Sequence, residues 1–187
     1  MHGNKINTFM TLAGQKVATK LHHGTPEQRK LGAQLLLSEV LEYVIDGLGV
    51  IPEVNGVKIT DADNLVYHTE AERNPSSVEM LDGLADVAYT MYWNASAFGV
   101  PLEEGFELVC DNNLEKFVKL ESWKRGECEL IPGEWHCNLE ITWPKEVATV
   151  QVIEVDGEFY AVGKDARGKV RKPSSYKSVD LSALVAA

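Results

Sequence analysis

The chain has 187 residues, 44% of them apolar and 25% charged, with a formal net charge of −10. That length supports one good hydrophobic core with a small appendage, and that charge argues against a nucleic-acid polymer as partner, since such binders carry a basic footprint. No apolar run approaches the ~20 residues that span a bilayer, and the start, "MHGNKINTFM", lacks the basic opening and apolar stretch of a signal peptide. A cytoplasmic protein without membrane contact is expected.

Cys110, Cys128 and Cys137 form no CxxC pair and are odd in number, which fits reduced thiols better than a disulfide framework. The basic residues are unevenly spread. Eleven of the 18 Lys and Arg lie between Lys116 and Lys177, and none lies from Leu31 to Val57 or from Asn74 to Glu115. Acidic blocks without bases, followed by a C-terminal stretch that carries most of the bases, suggest a cation site facing an anion grip.

In chain order, "KINTFMTLAGQKVATKL" predicts a helix over residues 5–21, weakened by Gly14. Thr25 as N-cap and Pro26 at the first helical position predict a second helix from Pro26 to about Leu48, ended by Gly47 and Gly49. "VIPEVNGVKIT" follows, a small hairpin around Asn55-Gly56. A third helix restarts near Ser76 or Ser77 and runs to about Phe98, stopped by Gly99 and Pro101, and a fourth runs from Pro101 to about Leu120. From residue 121 the chain is rich in Trp, Gly and Pro, and "VATVQVIEVDGEFYAVG" predicts a hairpin around Asp156-Gly157. The tail "GKVRKPSSYKSVDL" reads as an extended segment lying over the helices.

Two of the predicted helices carry matched acidic lines. Glu39, Glu42 and Asp46 stand at i, i+3 and i+7, and Glu79, Asp82 and Asp86 repeat those intervals. At 3.6 residues per turn each trio falls within roughly 60° of arc. Such lines are often solvated faces. Against that reading, an exposed helix usually mixes signs, because opposite charges one turn apart help by ~0.2–0.5 kcal/mol and like charges cost as much. If the acids converge, an oxygen-only donor set selects a hard ion, Mg²⁺ or alternatively Mn²⁺. A di-iron bundle would need two Glu-x-x-His motifs, which the chain lacks. Cys128, His136 and Cys137 have no recognised zinc spacing.

Four segments, "FMTLAGQKV", "LLLSEVLEY", "DGLADVAYTMYWNASAFGVPLEEGFELVCDNNLEKF" and "GKVRKPSSYKSVDL", occur in this order. Together they resemble the MazG-like, phosphoribosyl-ATP-pyrophosphohydrolase-like all-α NTP pyrophosphatases, over most of residues 5–120 and 168–181. The resemblance implies a mainly α fold: a MazG-like four-helix bundle core over 5–120, a β-rich insertion at 121–165 and a C-terminal tail element at 166–187, within one domain. The family's acidic ligands fall on Glu39, Glu42, Asp82 and Asp86, with Glu39 or Glu42 as base and Glu79 the doubtful member; Ser38 stands where many members carry a further Glu. Its Asn-x-x-Lys corresponds to Asn113 and Lys116, its Lys-Pro-x-x-Tyr to Lys172, Pro173 and Tyr176, and these resemble a phosphate grip. By the same resemblance Gln15 reaches the nucleobase.

The implied activity is Mg²⁺-dependent hydrolysis of a nucleoside triphosphate between the α- and β-phosphates. Length and arrangement are similar to phage-encoded members, which would act in a host cytoplasm, and point to dGTP ahead of dUTP, dCTP or a general house-cleaning role. A homo-oligomer, dimer or tetramer, is expected from the broad apolar surface of the two long helices. The rival reading is non-enzymatic: an acidic helical interaction module that binds a divalent ion structurally and docks a partner through the β-rich segment.

Overall fold

The structure is a computed structural model that describes residues 3–61, 64–70, 73–121, 129–130 and 141–186. In chain order the elements are α1 (Gly3–Leu12), α2 (Pro26–Glu42) with a π-helical continuation (Tyr43–Gly47), β1 (Glu53–Val54), β2 (Val57–Lys58), α3 (Ser77–Phe98), α4 (Leu102–Leu114), β3 (Val118–Leu120), β4 (Glu129–Leu130), β5 (Val147–Val155), β6 (Glu158–Asp165) and α5 (Ser182–Val185). They form two compact units, residues 1–18 with 89–187, and residues 19–88. The division falls within α3. Among the described residues no helix is long and apolar enough to cross a membrane.

The expected mainly α fold, a four-helix bundle core with a small β-rich insertion, is not what forms. Among the described residues helix accounts for 45% and strand for 16%, with two antiparallel sheets, so the fold is mixed α/β. The physical reason lies in where the core is. Of the buried apolar residues only Leu41 belongs to the two long helices, and most of the others belong to or pack on a four-stranded sheet of order β3-β6-β5-β4.

The β5–β6 hairpin turns at Asp156-Gly157, both at positive φ (53° and 81°), the conformation of a type I′ turn. Its register pairs Val150 with Gly163, Gln151 with Val162 and Val152 with Ala161. Because strand side chains alternate, Val150, Val152, Phe159 and Ala161 lie on one face and Ile153, Val155, Tyr160 and Val162 on the other. Ile141 and Trp143 pack on the first face. Phe9, Leu12 and Ala13 from α1, with Leu114 and Phe117 from the end of α4, cover the second. A register shift between Val147 and Thr149 returns Val147 to the first face.

This sheet also shortens two predicted helices. The fourth ends at Leu114, because Val118–Leu120 pairs with β6 and buries Val118 and Leu120 on alternate positions. The first ends at Leu12 in a Schellman arrangement: the Gln15 amide donates to the Met10 carbonyl (2.8 Å) and the Gly14 amide to Thr11 (2.9 Å), with Gly14 at φ 64°. A side chain at Gly14 would also press on Ile153 Cδ1 at 3.3 Å.

The unit of residues 19–88 starts as expected. Thr25 caps α2, its hydroxyl accepting from the Gln28 amide (3.2 Å) while Gln28 Oε1 accepts from the Thr25 amide (2.8 Å). At Tyr43–Gly47 the helix widens into a π turn, the Leu48 amide reaching the Tyr43 carbonyl. That change of pitch takes Asp46 out of the helical register of Glu39 and Glu42. The β1–β2 hairpin forms around Asn55-Gly56, both at positive φ. α3 has no buried residue, and Leu81 (73% exposed), Leu84 (62%) and Tyr89 (70%) are open, as are Leu36, Leu37 and Val40 on α2.

Gly163 leaves no room for a side chain, since any Cβ there would overlap the Trp143 ring. Gly163→Ala should therefore lower unfolding free energy by about 1–3 kcal/mol through overpacking. Urea denaturation followed by tryptophan fluorescence checks this, and an unchanged midpoint would show that Trp143 can move aside at no cost.

Candidate functional site

The basic residues named from sequence meet on one ring. At the C-terminal end of α4 the Lys116 ammonium donates to Asn113 Oδ1 (2.6 Å) and lies 5.9 Å from the centroid of the Tyr176 ring. Lys172 places its ammonium 4.9 Å from the same ring. Phe9 of α1 supplies a second aromatic surface, 5.8 Å from Lys116 Nζ, and itself packs edge-on against Phe117 with centroids 5.1 Å apart. Asn113, Lys116, Lys172 and Tyr176 are thus gathered although about sixty residues separate the two pairs.

Local chemistry explains how the tail is brought there. Asp165, at the end of β6, is 8% exposed and accepts hydrogen bonds from the amides of Arg167 and Lys169 (2.9 Å each). It also accepts from the Arg171 guanidinium through Nη2 (2.8 Å) and Nε (3.1 Å). This turn hands the chain to Lys172. Thr142 and Ser174 then exchange two hydrogen bonds, Ser174 amide to Thr142 carbonyl (2.9 Å) and Thr142 amide to Ser174 Oγ (2.8 Å).

Asn112 completes the clamp, and sequence reasoning missed it in favour of its neighbour. Buried at 8% exposure, its Nδ2 donates to the Lys177 carbonyl (2.6 Å), and its Oδ1 accepts from the Tyr176 hydroxyl. Burial, and then the Glu115 carboxylate, push the Tyr176 phenol up, so it stays the donor of that bond. The signal was the Asn112-Asn113 doublet at a helix end, where one side chain is buried and the other half-buried. Gln15 follows the α1 cap and is half-buried; among the described residues no recorded contact ties its side chain to this cluster.

The carboxylates belong to the other unit. Glu39 and Glu42 stand one turn apart on α2, Asp82 and Asp86 one turn apart on α3, and all four are exposed. Among the described residues no three His, Cys, Asp or Glu side chains are grouped to hold a metal. A Mg²⁺ ion does not require such a group, since it keeps several waters and is typically held by one or two carboxylates together with substrate phosphates. Two oxygen-only carboxylate pairs fit that demand. Glu79 sits in the first turn of α3, its amide 3.4 Å from Ser76 Oγ, where the helix dipole favours an acid. Cys128, His136 and Cys137 lie outside the described residues; Cys110 is a free, buried thiol whose pKa burial raises.

No protein-family model, curated protein or solved structure matches the chain.

The Asp165 turn, which precedes Lys172, is held by an ionised carboxylate. Burial opposes ionisation of Asp165, but the Lys169 and Arg167 amides and the Arg171 guanidinium outweigh it and hold the carboxyl below its ordinary value of 3.8. A lowered folded-state pKa contributes stability that is complete above the unfolded value and is lost as pH falls through the folded one. Asp165→Asn should cost on the order of 3 kcal/mol near neutrality, and this difference should shrink below about pH 4. Urea unfolding of both proteins across the acid range measures it; parallel pH profiles would remove Asp165 from the account.

Proposed function

We propose that the protein is a Mg²⁺-dependent nucleoside triphosphate pyrophosphohydrolase that converts a (d)NTP and water to the monophosphate and pyrophosphate, with dGTP the first substrate to try. The observation that carries this reading is the gathering of Asn113, Lys116, Lys172 and Tyr176 into one cluster. Two ammonium groups held on one ring repel each other, and an anion between them relieves that repulsion. In a chain of net charge −10 such a concentration of positive charge is a specific feature. It also unites two sequence elements, Asn-x-x-Lys and Lys-Pro-x-x-Tyr, that each resemble part of a family phosphate grip.

In this reading Lys116 and Lys172 bind the triphosphate and offset charge that develops on the leaving pyrophosphate. Tyr176 and Phe9 position the ammonium groups, Asn113 orients Lys116, and Asn112 keeps the tail in place. Glu39 or Glu42 accepts the proton of the water whose oxygen attacks the α-phosphorus, as the bond to the bridging oxygen breaks. Mg²⁺ ions, with Mn²⁺ as a substitute, would be held by the carboxylate pairs Glu39 with Glu42 and Asp82 with Asp86 and would supply charge neutralisation on the phosphates. Gln15 is assigned to the nucleobase. A nucleotide substrate places the enzyme in the cytoplasm, a host's if the chain is phage-encoded.

The open apolar side chains of α2 and α3 support a homo-oligomer, dimer or tetramer. Burying a Leu is worth about 1.5–3 kcal/mol, and every copy presents the same uncovered Leu81, Leu84 and Leu36. Those faces equally favour the second reading, an acidic helical interaction module without activity. Light scattering decides the association: wild type should exceed the mass of one chain and Leu84→Glu should reduce it. A wild-type mass of one chain would end the oligomer proposal.

Pyrophosphate release from a panel of dNTPs, with and without Mg²⁺, tests the activity. The expected outcome is turnover only with the metal, a KM raised about tenfold or more in Lys116→Ala, and a kcat lowered on the order of 10²-fold in Glu42→Gln. No turnover of any nucleotide in either condition defeats the enzyme reading. Full activity in Glu42→Gln and also in Glu39→Gln would defeat only the assignment of the base.

A further inference from the structure

The acidic unit contains a hollow, bordered by two arginines among its described residues, that neither the proposed reaction nor the sequence motifs use. Arg29, His68, Thr69, Glu70, Arg73, Asn74 and Pro75 line about 430 Å³ of open space, within the usual size range of small-ligand pockets. Residues 19–88 hold only five Lys and Arg, and two of them border this hollow.

The hollow lies where both long helices of the unit begin. Arg29 is in the first turns of α2, and Arg73 to Pro75 lead into α3. A hydrogen bond between His23 Nε2 and Ser77 Oγ (2.8 Å) joins the two starts. The capping box at Thr25 sets the loop before α2, and Arg29 Nη1 donates to the Gly24 carbonyl of that loop (2.8 Å). One corner of the guanidinium is therefore fixed by main chain, which orients its remaining donors at little further entropic cost. Across the hollow Arg73 meets Glu70 only at 3.4 Å, an exposed pairing of little strength that a better acceptor can displace.

We propose that this hollow binds the phosphate group of a small phosphorylated ligand. Two guanidinium groups, a hydroxyl and an imidazole are among the lining side chains, a donor set richer than a planar carboxylate with two oxygens can use and suited to a tetrahedral dianion with three or four acceptor oxygens. The site rests on residues 29–75 alone and stands or falls independently of the Lys116 and Lys172 cluster.

The test uses the full-length chain, ¹⁵N-labelled and carrying Lys116→Ala and Lys172→Ala to remove the other cationic cluster, titrated with inorganic phosphate at constant ionic strength. The expected result is saturable shifts of the Arg29, Thr69 and Arg73 amides, weakened about tenfold by adding Arg73→Ala, the loss of one charge-assisted contact. Arg73 has an 87% exposed side chain, so that replacement leaves folding intact. Absence of saturable shifts at these amides, affinity unchanged by Arg73→Ala, or equal affinity for acetate would each overturn the proposal.

Discussion

The pairing of β5 with β6 is the constraint on which the rest of the unit of residues 1–18 and 89–187 depends. Its two faces are both apolar, and each needs a cover. Trp143 and Ile141 close one, and α1 with the end of α4 closes the other. Val150, Ala161 and Val162 are fully buried between these layers. A sheet covered on both sides leaves no latitude in register, because a slip of one residue would turn Val162 and Val150 onto the wrong faces.

The cationic cluster is a consequence of that packing. Phe9 reaches Lys116 because α1 lies across the second face, where Phe117 buries itself beside it. Lys172 and Tyr176 arrive because the chain leaving β6 is folded back by the Asp165 turn and is then held by Thr142 and Asn112. Buried polar groups such as Asp165 and Asn112 would be costly if unsatisfied. Each is satisfied by the segment that carries Lys172 and Tyr176, so stability and the placement of the lysines share the same bonds.

The long helices obey a different rule. Their starts and stops are local: a capping box at Thr25, a positive-φ glycine after Phe98, a π turn after Glu42. Among the described residues their apolar side chains are largely exposed: α3 has no buried residue, and Leu41 is the lone buried side chain of α2. An amphipathic helix derives most of its stability from burying such a stripe, so surfaces like these acquire their purpose from what covers them.

Local chemistry made much of this legible from sequence. Thr25-Pro26, Asn55-Gly56, Asp156-Gly157 and the stretch from Ser77 to Phe98 each determined their structure, because caps, type I′ turns and helical periodicity act over a few residues. The sequence likewise determined the uneven charge and the residue types of the acidic lines and of the lysine cluster. Only the tertiary structure decided that the "VATVQVIEVDGEFYAVG" hairpin is the core and not an insertion on a helical bundle. An apolar strand reads the same whether its faces are covered by helices or left at an edge. Tertiary structure likewise decided that residues 118–120 leave the helix, that Asn112 and not Asn113 holds the tail, and that Lys116 and Lys172 share one ring. Those outcomes depend on contacts between residues far apart in the chain, whose free energy no local pattern of side chains records.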